Sequence, residues 1–346
     1  MPLHTYLAKF ERIARPERDE RIAARFRAVF EGEPLEQLPF VWSDLPPLAD
    51  ADWPAPAYND SFEDRELMLL EQLRAGYLHY QTGDDYPVTI RANYGTVILP
   101  SIFGADWQLT ESSMPWAHHL PNRDAIRALL DRGVPDVRAG LGERCLDTTQ
   151  YYREILVHYP ALSQITQIYH PDLQGPFDVA HLLWGPDIFL GFYDCPEMVH
   201  ALLDLVTETY IAWLRAWKKA AGNGNDWTVH WNLWQRGGTM LRDDSAVMLS
   251  TAQYREFVQP YDQRVLDAFG GCIHFCGCGD QFIADMVTSR NLYGINMSQP
   301  ELNNMPRLLD LCRQHKLVFL NLDEAYTPAD ATTGITLLRS WRASQG

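Results

Sequence analysis

Apolar residues recur along this chain at two periods, one near 3.6 and one near 2, and the two alternate. Between residues 17 and 31, Ile22, Ala23, Phe26, Val29 and Phe30 stand among Arg and Glu at helical spacing, which predicts an outer amphipathic helix. A short strand is expected at 39–42, followed by a proline-rich loop over 45–56 whose Trp53 suits it either to cap a pocket or to pack on the surface. A helix is expected over 62–78, then a strand over 86–91 that delivers Arg91, Asn93 and Tyr94 to its end. Residues 97–119 mix Pro, Gly and Trp with few helical signals and read as irregular structure with short strands, laid over the mouth.

Downstream the alternation becomes regular. Asn122 is expected to cap a helix reaching 132, with a further helix over 142–158 and a strand over 164–169. Pro176 sits in the first turn of a helix ending near Trp184, and Asp194 with Pro196 opens a long one that Gly222 stops. Strands are expected at 227–232 and 239–243, separated by Gly237 and Gly238, and Ser250 should cap one helix running through Phe269. Asp280 is read as starting another helix. A strand at 293–297, a helix at 304–315 and a last strand at 317–322 complete the pattern. About eight strands, most followed by a helix, predict a parallel sheet. We therefore expect a (β/α)8 TIM barrel, one domain over 1–346, with an N-terminal helical extension (1–38) and loops covering the mouth.

Candidate chemistry is concentrated between Gly270 and Asp280, which holds three of the six cysteines and one His. Alternation in a strand puts Cys272, His274 and Cys276 on one face, with Ile273 and Phe275 on the other. A rise of roughly 3.3 Å per residue separates His274 and Cys276 by about 6–7 Å at Cα. One zinc ion with bonds of about 2.0–2.3 Å spans that gap. Cys272 lies one layer deeper. Cys278 reaches the same ion only if Gly277 and Gly279 turn the chain back. Two other readings stand beside this one: buried cysteines acting as small hydrophobes, and a redox pair of Cys276 and Cys278.

Charge and composition narrow the function classes. The net charge is −16, from 29 basic and 45 acidic side chains, and so acidic a surface repels nucleic-acid phosphate and anionic membrane. Hydrophobic residues make up 46% of the chain, enough for a large core. No apolar leader precedes Glu11, Arg12 and Arg15, and no window approaches 18 continuous apolar residues. A cytoplasmic protein is expected, its cysteines free or metal-bound. Neither a Gly-x-Gly-x-x-Gly helix opening nor a Walker A sequence is present, so dinucleotide and P-loop functions have no support.

Several stretches resemble one family in order and spacing. They are Gly-Pro-Phe-Asp-Val-Ala from Gly175, Asp-Asp-Ser from Asp243, Leu249 to Tyr254, Pro260 with Tyr261, and His-Phe-Cys-Gly from His274. Together they resemble the uroporphyrinogen decarboxylase superfamily over nearly the whole chain. The His-x-Cys-Gly element is similar to its zinc-dependent methyltransferase branch, which moves methyl groups between a corrinoid and a thiol or pterin. That resemblance implies zinc on His274 and Cys276, a separate corrinoid protein as partner, a small-molecule substrate, and a homodimer. The branch takes its third ligand from a Gly-Cys-Gly turn near the C-terminus, but no Cys follows 318–321 here, and Cys312 precedes that strand. Cys278, Asp323 and Glu324 are the candidates for that place.

Asp244, at a strand end, is expected to orient the acceptor or a zinc ligand, while His230 and Arg91 meet the far end of the substrate. Asn93, Tyr94 and Asn296 complete the expected substrate contacts. A decarboxylase of a tetrapyrrole or polycarboxylate is the alternative, although the arginine-rich N-terminal stretch of true decarboxylases has no counterpart around 42–58. A non-catalytic binding protein on the same barrel is the second alternative.

Overall fold

Strands and helices are interspersed along residues 3–111 and 114–345, the part of the chain described by this computed structural model. The early strands are β1 (Phe40–Asp44), β2 (Thr89–Ile90), β3 (Trp107–Gln108), β4 (Trp116–Ala117), β5 (Gln167–Ile168) and β6 (Trp227–His230). After them come β7 (Leu233–Arg236), β8 (Thr239–Arg242), β9 (Gly271–Phe275), β10 (Leu292–Met297), β11 (Val318–Asp323) and β12 (Ile335–Ser340). Six form one sheet in the order β1-β12-β11-β10-β9-β8, every neighbouring pair parallel. β2 and β5 form a further parallel pair.

The result is a central parallel sheet with flanking helices, a TIM-barrel-like arrangement. The β2–β5 pair stands apart from this sheet's backbone ladder, and hydrogen bonds from residues near it reach the sheet on two sides. On one side the Phe40 amide donates to Asp85 (3.0 Å) and the Trp42 amide to Asp84 (3.1 Å). On the other, the Met240 amide donates to His170 Nε2 at 3.0 Å.

Alternation along the strands sorts their side chains between two cores, as the period of two requires. Ile273, Phe275, Ile295 and Phe319 join the large core between sheet and helices. Met240, Cys272, Val318 and Leu320 join a small one on the opposite face, together with Leu233 and with Ile22, Phe26 and Val29 of helix Pro16–Glu31. The N-terminal extension therefore covers one end of the sheet.

Several sequence expectations need correction. The strand expected over 227–232 is present as β6 but ends at His230 and lies outside the main sheet: the chain turns at Trp231 and Asn232 and β6 pairs antiparallel with β7. β12, not expected, is the strand that joins β1 to β11. The single helix expected after Ser250 breaks at Val258 into Thr251–Phe257 and Gln259–Phe269, because Pro260 has no N–H to continue the ladder. Asp280 opens no helix at once, since the next is the short Ile283–Met286. Asp194 pairs with Arg123 at 2.8 Å rather than capping helix Pro196–Ala221. Within 97–119 the short strands expected are the antiparallel pair β3–β4, and helix Ile98–Ile102 is the unexpected element.

Helix Gln259–Phe269 buries Asp262 against Asp243 of the turn after β8. Both Asp262 oxygens and Asp243 Oδ2 lack a donor among the described residues, and burial raises both carboxyls above the usual range. Burial, with repulsion from Asp178, pushes Asp262 from 3.8 up to about 8. A carboxyl raised in the folded state contributes stability below its unfolded value that is lost as pH rises through the folded one. Stability should therefore fall between 3.8 and about 8. Asp262→Asn, whose amide supplies the missing donor, should flatten that fall. Urea midpoints should show its advantage over wild type growing as pH rises toward 8, and a constant difference would contradict the raised Asp262 carboxyl.

Candidate metal centre

β8, β9 and β10 run in register, so Arg242 lies beside His274 and His274 beside Asn296. Just past the strand ends come Asp244, Cys276 and Ser298. Asp178 fixes the first of these: in the opening turn of helix Pro176–Trp184, its carboxylate accepts from the Asp244 amide (2.9 Å) and the Ser245 amide (2.8 Å). The Gly175 amide donates to Arg242 O at 2.9 Å, and a Cβ on Gly175 would stand 2.6 Å from that oxygen. The Gly175 and Asp243 motifs thus form one interlocked unit.

Among the described residues, one group of side chains is arranged to hold a metal ion: Asp244, His274 and Cys276, their ligand atoms within 4.8 Å of one another. His274 Nε2 lies 3.2 Å from Cys276 Sγ and 3.6 Å from Asp244 Oδ1. Bonds of about 2.0–2.3 Å give a tetrahedron with edges of about 3.3–3.8 Å, close to the two spacings from His274. Asp244 Oδ1 is buried without a hydrogen-bond partner among the described residues, as expected of an atom whose natural partner is a cation. Burial pushes the Cys276 thiol up to about 11 and holds His274 below the ordinary histidine value. Without a cation, the thiol stays protonated near neutrality and the imidazole is kept neutral.

Cys278 is exposed and lies outside this group. Its loop is pinned outward: the Gly277 amide donates to Gln299 (2.6 Å), the Gly279 amide to Asn303 (2.7 Å), and Asn303 Nδ2 returns to Gly277 O (2.9 Å). Gly277 makes this turn at φ +94°, where a side chain would be strained. Asp323 and Glu324 are exposed and occupied elsewhere, Asp323 capping the Ala325 amide and Glu324 pairing with Arg339. Cys272 is fully buried in the small core.

A cavity of about 910 Å³ opens beside the metal position, lined among others by Arg91, Asn93, Tyr169, Trp231, His274 and Asn296. Asn93 Oδ1 is buried there without a donor among the described residues. Tyr94 is packed away in the core with its hydroxyl on Thr148 at 2.7 Å. His230 is fully buried below Trp231, against His170 at 4.5 Å between ring centroids, and burial pushes its pKa well down.

Three residues not singled out in the sequence support this site, and of them Trp231 lines the cavity. Asp172 Oδ1 accepts from both Arg91 and Arg242, so one buried carboxylate holds two guanidinium groups. Trp231, at the tip of the β6–β7 hairpin, has φ +47°, a strained conformation for so bulky a residue. Its ring meets His274 edge-on at 4.9 Å and carries the Arg242 guanidinium at 4.7 Å. Strand-end Asp and Arg were the available signal for two of them; nothing in the sequence marks Trp231.

With this geometry in view, comparison with known proteins is informative. Residues 172–300 match the family model of uroporphyrinogen decarboxylase (URO-D). The chain carries a URO-D-like region. That region begins at Asp172 and spans the Gly175 motif, the Asp243 turn and all three members of the metal-binding group. A methyltransferase from Methanosarcina mazei has a similar structure, with TM-score 0.63 and 16% identity, over 87% of this chain and 82% of that one. At that identity the likeness is one of fold. No curated protein matches the sequence. The URO-D-like region covers residues 172–300, the structural likeness is one of fold, and neither selects a branch. No described helix is long and apolar enough to cross a membrane.

Proposed function

We propose that this protein is a zinc-dependent enzyme that transfers a methyl group between a corrinoid, carried by a partner protein, and a thiol or pterin acceptor. The observation that carries the reading is the convergence of Asp244, His274 and Cys276 beside a cavity large enough for a small substrate. Asp244, His274 and Cys276 would hold zinc through an oxygen, a nitrogen and a sulfur, and the metal would supply activation of a substrate thiol as a nucleophile at neutral pH. The protein's own part is to bind and orient: Arg91 and Asn93 face the cavity, and Trp231 forms part of its wall beside His274. In this reading the domain is a single closed (β/α)8 barrel spanning the chain, with its mouth open to the corrinoid protein, and two copies form a dimer.

The experiment uses methylcobalamin as donor and homocysteine and 2-mercaptoethanol as acceptors, followed by the absorbance change on loss of the methyl group. Zinc-loaded wild type should demethylate it faster than Cys276→Ser with at least one thiol. Equal rates with both thiols would contradict the reading. A second reading, decarboxylation of a polycarboxylate, is favoured by the URO-D match and by Arg91 on the cavity wall. Release of carbon dioxide from such a substrate by wild type would put it first.

A further inference from the structure

β11 does not run straight. Its ladder with β12 shifts between Phe319 and Leu322, and Asn321 stands at φ +53°, in the left-handed region. This bulge takes the peptide joining Leu320 to Asn321 out of the sheet, and both of its polar groups go to side chains. The Asn321 amide donates to Thr336 Oγ1 at 2.8 Å, and the Leu320 carbonyl accepts from Asn296 Nδ2 at 2.7 Å. Bulges beside functional sites commonly re-aim a group in this way.

The consequence passes to the metal position through obligatory donor and acceptor roles. A carbonyl oxygen can only accept, so Asn296 must turn its NH2 toward Leu320 and its oxygen toward His274 Nδ1, 2.6 Å away. That amide oxygen also can only accept, so Nδ1 carries the ring proton. The neutral ring then has its lone pair on Nε2, the nitrogen facing Cys276 Sγ and Asp244 Oδ1. Both ends of the Asn296 amide are engaged within the protein. Although it lines the cavity, it is placed to act on His274 rather than on a substrate.

We propose that the Leu320–Asn321 bulge and Asn296 form a positioning relay that locks His274 in the Nδ1–H tautomer as an Nε2 metal ligand. The relay deepens the zinc reading above and rests on it for its purpose. Asn296 and Asn321 are positioning residues, since neither touches the ion. Ligand histidines whose second nitrogen loses its partner typically bind metal about 10–100-fold more weakly.

Two measurements on the full chain test this. In metal-free protein labelled with 15N-histidine, long-range proton–nitrogen correlation reads the tautomer of His274 directly. Wild type should show Nδ1–H alone, and Asn296→Leu a mixture of both tautomers. Competition with a chromophoric chelator should show zinc affinity lower by about 10–100-fold in Asn296→Leu. Asn321→Val, which leaves Asn296 in place but disfavours positive φ, should weaken zinc in the same direction, and Asn321→Gly should recover most of the loss. This pair decides the matter if Asn296→Leu does not fold. An unchanged tautomer in Asn296→Leu, or wild-type zinc affinity in both Asn296→Leu and Asn321→Val, overturns the relay and leaves the zinc reading standing. A wild type that takes up no zinc overturns the zinc reading, and the tautomer measurement still decides whether the lock exists.

Discussion

Asp244→Ala is expected to lower zinc affinity by more than the roughly 100-fold that loss of a ligand's supporting partner costs, because it removes a ligand outright. Cys278→Ala is expected to bind zinc as wild type does. The contrast follows from geometry. Asp244 Oδ1 stands 3.6 Å from His274 Nε2, buried and without a donor among the described residues, whereas Cys278 is exposed on a loop tied outward by Gln299 and Asn303. Competition titrations on the two variants read the difference. Loss of zinc in Cys278→Ala, with Asp244→Ala unaffected, would mean that the loop folds back over the ion.

Only part of this centre could be read from the sequence. His274 and Cys276 announce themselves because they share a strand face two residues apart, and the period of a strand is enough to bring them together. Asp244 lies on a neighbouring strand end, and its nearness to His274 depends on the parallel register of β8 with β9 and on the hold of Asp178 on the Asp244 amide. Sequence distance favours Cys278 instead. Asn296 presents the same difficulty in another form: a strand-end amide beside a cavity suggests a substrate contact, and only the bulge in β11 shows where its two ends go.

The second large effect is expected at Asp172. Its carboxylate is 3% exposed and holds Arg91 and Arg242, themselves about one-tenth exposed. Asp172→Asn leaves two guanidinium groups close together with no negative charge between them. Breaking a buried ion pair by removing one partner typically costs about 3–5 kcal/mol. The unfolding midpoint in urea should fall by a corresponding amount, with the slope of the transition unchanged. Because Arg242 also lies over Trp231, and Trp231 meets His274, the same substitution should disturb the cavity wall in whatever fraction remains folded. A midpoint within error of wild type would show that the two arginines are screened by solvent.

The elements most faithfully read were those buried on both faces or long enough to show their period, such as β9 to β11 and helix Pro196–Ala221. Two failures have definite physical causes. The β6–β7 hairpin was hidden because its turn is made by Trp231 and Asn232, and a tryptophan at positive φ is not a turn signal. β12 was missed because Thr336, Arg339 and Ser340 blur its apolar pattern; Thr336 is nonetheless buried, where its hydroxyl serves the Asn321 amide. Both features surround the cavity, where local preference yields to the requirements of the site.

The most direct test of the metal centre is elemental analysis of the purified chain, wild type beside Cys276→Ser. The geometry predicts about one zinc per chain in wild type and its loss from a variant that stays folded. A folded wild type that holds no zinc, and takes up none when it is offered, would contradict the assignment of Asp244, His274 and Cys276 as ligands.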